Sequence, residues 1–185
     1  MSLYVVGITG ASGGIYARRL TKRLKDLGHS VGIIATDTGK QVLAFEKEDC
    51  VFALADAVWE SSDLFAPVAS GTCDFAGMAV VPCSMGSLAK IANGIADNLL
   101  IRTADVCLKE RRPLVIVPRE MPYNHIHLKN MLLAEEAGCR IVAASPHFYF
   151  EPKTVEDLAD TVVSKILSQF GLKDSLFQEW NGWEK

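Results

Sequence analysis

Hydrophobic positions along the chain fall into short continuous runs separated by amphipathic stretches. Residues 3–9 (LYVVGIT) are apolar and β-branched, Gly10, Gly13 and Gly14 follow, and residues 15–27 then repeat apolar positions at helical spacing. Gly28 stands where a helix C-cap glycine belongs, and residues 30–36 (SVGIIAT) supply a second apolar run. The same signals predict strands over 77–82 (GMAVVP), 114–118 (LVIVP) and 140–145 (RIVAAS), and helices over 87–92, 96–112, 125–137 and 155–170. In the last helix Val155, Leu158, Val162 and Ile166 are expected to form the buried stripe, with Lys165 inside it. Short runs that are apolar throughout and alternate with helices are the mark of strands covered on both faces. The expected fold is therefore α/β, a doubly wound parallel sheet.

Composition narrows the picture without changing it. A chain of 185 residues with 49% hydrophobic and 22% charged residues suits one compact domain over 1–185 and excludes a disordered chain. Lys plus Arg number 19 against 22 Asp plus Glu, a net charge of -3, which argues against a general nucleic-acid binder. No apolar run approaches the roughly 20 residues that span a bilayer, and the first residues lack the pattern of a signal peptide, so a cytoplasmic protein with no membrane span is expected. Five cysteines without a CxxC pair read as reduced thiols, and His125 and His127 lack the spacing of a metal site, so no metal is expected. From about residue 173 the tail carries Phe177, Trp180 and Trp183, aromatics expected to pack on the body or on another subunit.

Ligands of open α/β sheets bind outside the carboxyl ends of the strands, which selects the segments TGASG from Thr9, TDT from Thr36, CSMGS from Cys83 and the pair Arg119 and Glu120. Gly7, Gly10 and Gly13 are spaced GxxGxxG, which is not the dinucleotide fingerprint. A glycine loop opening a helix nonetheless offers amides and a positive dipole end to an anion, with Ser12 adding a hydroxyl; the other reading makes Ser12 only an N-cap. Ser84 and Ser87 at a second helix start repeat that geometry, and two such loops suggest a mononucleotide. No Walker A lysine follows either loop, and GxSxG is absent. Cys83 reads as a small buried hydrophobe rather than a nucleophile. Glu120 and Arg119 read as a proton-transfer group and a phosphate clamp, or as a structural ion pair. Lys109, closing a helix in KERR, reads as a solvated helix end or as part of a basic patch with Arg102. Lys165 either snorkels to water or aims at an anion in a cleft shared with Tyr149.

These positions together resemble the UbiX-type flavin prenyltransferases, once grouped as aromatic acid decarboxylase small subunits. The resemblance covers nearly the whole chain and rests on GITGASGGIYARRL from Gly7, PCSMGSLAKIANGIADNLLIRTADVCLKERRPLVIVPRE from Pro82, IHLKNML from Ile126 and PHFYFEP from Pro146. It implies a flavodoxin-like (Rossmann-like) domain assembled through trimers into a homododecamer. It also implies metal-independent transfer of a dimethylallyl group from dimethylallyl monophosphate to N5 and C6 of reduced FMN, and delivery of the prenylated FMN to a UbiD-type decarboxylase. By residue, it implies that FMN lies against Gly10, Ala11, Ser12, Thr36, Ser84, Met85, Gly86, Ser87 and Arg119. The prenyl phosphate is implied near Lys109, Tyr149 and Lys165, with Glu120 in proton transfer. Departures from the family pattern are Thr36 for serine, Lys165 for a frequent arginine, and Leu64 where some members carry tryptophan; Phe65, Trp180 or an aromatic of another subunit are expected to complete that lining, in a site shared between subunits. Two alternatives remain: an FMN-dependent decarboxylase of the same fold, disfavoured because the first helix and its preceding loop hold no histidine, and an FMN carrier.

Overall fold

The computed structural model describes residues 1–174; Phe177, Trp180 and Trp183 lie outside them. Strands β1 (Leu3–Ile8), β2 (Ser30–Ala35), β3 (Ala57–Glu60), β4 (Gly77–Cys83), β5 (Leu114–Pro118) and β6 (Arg140–Ile141) form one sheet in the order β3-β2-β1-β4-β5-β6. Each neighbouring pair is parallel. Helices α1 (Gly14–Asp26), α2 (Asp37–Glu46), α3 (Met85–Ala92), α4 (Leu99–Lys109), α5 (His125–Glu136) and α6 (Val155–Gln169) complete the fold.

The five strands expected from the apolar runs stand in the order β2-β1-β4-β5-β6, the flavodoxin order, and β3 extends it at one edge to the Rossmann order. The sequence pattern misses β3 because it is short and alternates half-buried with exposed residues. It also misses α2, whose buried side is only Gly39 and Leu43. The β6 ladder is shorter than the expected run 140–145, yet the chain keeps following β5: Val142 N donates to Ile116 O at 2.9 Å and Ala144 N to Pro118 O at 3.2 Å.

Two cores result, one on each face of the sheet. Leu20 and Leu24 of α1 pack with Val162, Val163, Ile166 and Leu167 of α6 against Val6, Ile8 and Ile33. Leu88 of α3 and Leu99, Leu100 and Ile101 of α4 pack against Val5, Met78 and Ile116 on the other face. The expected stripe of α6 is corrected here: Val155 is 66% exposed and Leu158 only half-buried, while Ala159, Val163 and Leu167 join Val162 and Ile166 inside. Lys165 is exposed, because the buried face is turned about one residue from the expected one. Among the described residues no helix is long and apolar enough to cross a membrane.

Candidate functional site

Crossovers leave β1 and β4 towards opposite faces, so the chain parts between their carboxyl ends. One buried side chain ties those ends together. Thr9 Oγ1 donates to Pro82 O at 2.9 Å and accepts from Ser84 N at 2.7 Å. This clamp fixes where α3 begins. Ser84 caps α3 by accepting from Ser87 N, and its hydroxyl donates to Ser87 Oγ at 3.1 Å. Met85 and Gly86 supply the first-turn amides, which have no partner within the helix. A Cβ built on Gly86 meets nothing within 4 Å, so a ligand can approach the backbone there.

Gly10, Ala11 and Ser12 lie beside this helix start, at the end of β1. Ala11 is buried and Ser12 exposed. Gly13 takes φ 113°, a left-handed conformation that favours glycine, and is the N-cap of α1 with no side-chain cap of its own. Ser12 is therefore not the cap. The amides of α1 are instead taken by a residue distant in sequence: Glu46 accepts from Gly13 N at 3.1 Å and from Gly14 N at 2.7 Å. Thr36 caps α2, accepting from Gly39 N at 3.1 Å.

Arg119 follows β5 and reaches back to the glycine loop, its Nε donating to Ser12 O at 3.1 Å. Glu120 Oε1 accepts from Met121 N at 3.0 Å, and among the described residues no Arg119–Glu120 ion pair forms. Arg119, Glu120, Tyr123 and Ser145 line a cleft of about 370 Å³. A second cleft of about 600 Å³ shares Ser145 and adds His147, Thr161 and Lys165. Tyr149 is exposed, its ring 5.7 Å from that of His147. Leu64 and Phe65 are also exposed.

Lys109 is elsewhere. It ends α4 and pairs with Glu110 beside Gly71, at the edge where β4 and β5 begin. The length of β5, about 16 Å at 3.3 Å per residue, separates that edge from Arg119. Arg102, seven residues earlier on the same helix, binds Ala69 O and Asp105, so both basic side chains meet the segment 69–71. Cys83 is fully buried, and burial followed by the neighbouring Cys139 pushes its thiol well above the usual range, which suits a packing residue.

The strand ends thus bring together Gly10, Ala11, Ser12, Ser84, Met85, Gly86, Ser87 and Arg119, with Thr36 on the adjacent strand end and Glu120 in the next cleft. Serine hydroxyls, open helix-start amides and a guanidinium form a donor set that fits the phosphate of a mononucleotide, and exposed Gly86 leaves room for a flat ring near the backbone. The sequence pattern gives no role to Thr9, Glu46, Ser145 or His147. A buried threonine at a strand end was the available signal for the first; Glu46 sits in the charge run EKED, which reads as solvated surface.

A family model described as Flavoprotein matches residues 2–168. The flavin prenyltransferase UbiX of Halalkalibacterium halodurans is 47% identical over 96% of this chain and 93% of its own. That of Methanothermobacter thermautotrophicus is 41% identical over 98% and 97%. The crystal structure of AnUbiX (PadA1) in complex with FMN and dimethylallyl pyrophosphate matches with a TM-score of 0.95 at 41% identity, covering 99% of both chains. A dodecameric FMN-dependent UbiX-like decarboxylase from Escherichia coli O157:H7 matches with a TM-score of 0.90 at 40% identity, covering 96% of this chain and 99% of that one. The peptidyl-cysteine decarboxylase EpiD, at 22% identity and a TM-score of 0.63, shares the fold. With near full-length identity above 40% to proteins of one name, the chain belongs to the Flavoprotein family and, within it, to the UbiX-type flavin prenyltransferases.

Proposed function

We infer that the protein joins the dimethylallyl group of dimethylallyl monophosphate to reduced FMN, yielding prenylated FMN and phosphate. The observation that carries this reading is the joining of two sites by Arg119: its guanidinium rests on the glycine loop at Ser12 O, while its neighbour Glu120 lines the cleft with Ser145, the residue shared with the adjoining cleft that holds Lys165. Relatives named flavin prenyltransferase and the AnUbiX complex with FMN and dimethylallyl pyrophosphate support it. FMN would be held by Gly10, Ala11, Ser12, Thr36, Ser84, Met85, Gly86, Ser87 and Arg119, and its reduced ring supplies the nucleophile.

The remaining work falls to the chain's own groups. Departure of the allylic phosphate builds negative charge, which Lys165 and the Tyr149 hydroxyl stabilise, and Glu120 moves a proton at the reacting ring. Lys109 lies a sheet length from Glu120 in its own chain, so it acts on the phosphate only from a neighbouring copy. On this reading the site is completed between subunits and a homo-oligomer is part of the proposal, which the dodecameric relative supports. Ile126, Leu128, Leu132 and Leu133 of α5 are exposed apolar side chains suited to such contacts. Delivery of the product to a UbiD-type decarboxylase completes the reading.

The test is anaerobic incubation with reduced FMN and dimethylallyl monophosphate, followed by mass spectrometry of the released flavin. A flavin heavier by one prenyl unit is expected. Unmodified flavin from protein that binds FMN, with both the monophosphate and the pyrophosphate donor, would overturn the reading. Lys109→Ala and Lys165→Ala should raise KM for the donor or lower turnover and leave FMN affinity nearly intact; loss of FMN binding would move these residues to the flavin.

A further inference from the structure

The glycine loop of residues 10–13 is gripped by α2 at both ends. At the start of α2, Thr38 packs so closely on Gly10 that an added Cβ would come within 2.5 Å of its Cγ2. At the end of α2, Glu46 spans the amides of Gly13 and Gly14. Glu48, just beyond, pairs with Arg18 of α1 and holds the two helices together. Gly14 belongs to the same contact: an added Cβ would lie 2.7 Å from Leu43 Cδ2 and 3.1 Å from Glu46 Oε2. Between the two grips lies Ser12, whose carbonyl receives Arg119.

We propose that Glu46 is a positioning residue for the flavin phosphate: its carboxylate is the resident anion of the α1 N-terminus and sets the loop that carries Ser12 and Arg119. The proposal rests on the flavin reading above. A carboxylate on the first-turn amides meets their hydrogen-bonding need and offsets the positive helix end. The ligand's phosphate is thereby kept off Gly13 and Gly14 and left to Ser12, Arg119 and the start of α3. Glu46 touches neither substrate and acts only through the loop.

The test compares FMN with riboflavin, which lacks the phosphate, by fluorescence titration of wild type, Glu46→Ala and Glu46→Gln. Loss of the grip should lower FMN affinity about tenfold in E46A and leave riboflavin affinity unchanged, whereas E46Q, which keeps an acceptor oxygen in place, should stay within about threefold of wild type. In the flavin-free protein, hydrogen exchange at the Gly13 and Gly14 amides should quicken in E46A but not in E46Q. Should E46A fail to fold, Glu46→Asp, one methylene short of the amides, must show the same selective loss. An FMN-to-riboflavin ratio that is unchanged or raised, or equal losses for both flavins, overturns the role of Glu46. Absence of any FMN preference in the wild type would instead remove the flavin-phosphate reading itself.

Discussion

Thr9 joins two strand ends with one hydroxyl, at 1% exposure. Replacing it by valine keeps the shape and the bond from Thr9 N to Pro82 O at 3.3 Å, but removes the acceptor of Ser84 N in a part-buried setting. Thr9→Val should cost about 1–3 kcal/mol, read as a lower urea midpoint with unchanged slope. Because the same hydroxyl places the start of α3, FMN affinity should fall with it. Glu120 makes the opposite case. It is exposed and among the described residues its hydrogen bond is with the next amide, so little stability is expected to depend on it. Glu120→Ala should bind FMN normally and lose turnover by roughly 100-fold or more, the scale of a lost proton-transfer group. Retained function in that variant would favour the carrier reading instead.

Among elements, β3 and α2 are those the hydrophobic pattern does not announce, and each has a tertiary reason to exist. Trp59 of β3 lies over Gly32 of β2, where an added Cβ would come within 2.2 Å of its ring. Gly32→Ala should therefore displace Trp59, lower stability by about 1–3 kcal/mol and change the tryptophan fluorescence. α2 buries little of itself and is held by what it grips: Thr36 at its cap, Gly10 at its start and the α1 amides at its end. The helices with wide apolar faces were legible from sequence to within a few residues. Their caps followed local chemistry, as with Asn98, whose side chain accepts from Ile101 N at 3.0 Å at the start of α4. Asn98→Ala should cost about 1 kcal/mol, measurable by thermal or urea unfolding.

At the scale of the molecule, the two edges of the sheet carry different chemistry. The carboxyl edge gathers the donors of the candidate site. The opposite edge holds His29, whose ring meets Tyr4 edge-on at 5.1 Å and whose Nδ1 has no hydrogen-bond partner among the described residues. Burial, and then the nearby N-terminal ammonium, lowers the His29 pKa. The folded state thus binds fewer protons than the unfolded one, so this contribution is whole above about pH 6.5 and fades as pH falls towards the lowered value. His29→Phe should flatten the urea midpoint between about pH 7 and 5, and an unchanged slope there would assign the loss to other groups. Assembly belongs to this scale too: light scattering should give a mass far above the 20.2 kDa of one chain. A monomer with full prenyl transfer would remove the shared site and the role of Lys109.

Strand runs, helix faces, the glycine loop and the serines at the second helix start were legible because each is a local matter of periodicity, capping and turn chemistry. The strand-end rule then brought Ser12, Ser84 and Arg119 to one edge without coordinates. Only the tertiary structure decided that Glu46 rather than Ser12 caps α1, that Thr9 clamps β1 to β4, and that Lys109 stands a strand's length from Glu120. Those facts depend on which distant segments meet, and an exposed-looking charge or a lone threonine carries no local mark of its partner. Burial and pairing are properties of the packed chain, so residues whose roles rest on them stay silent in the sequence.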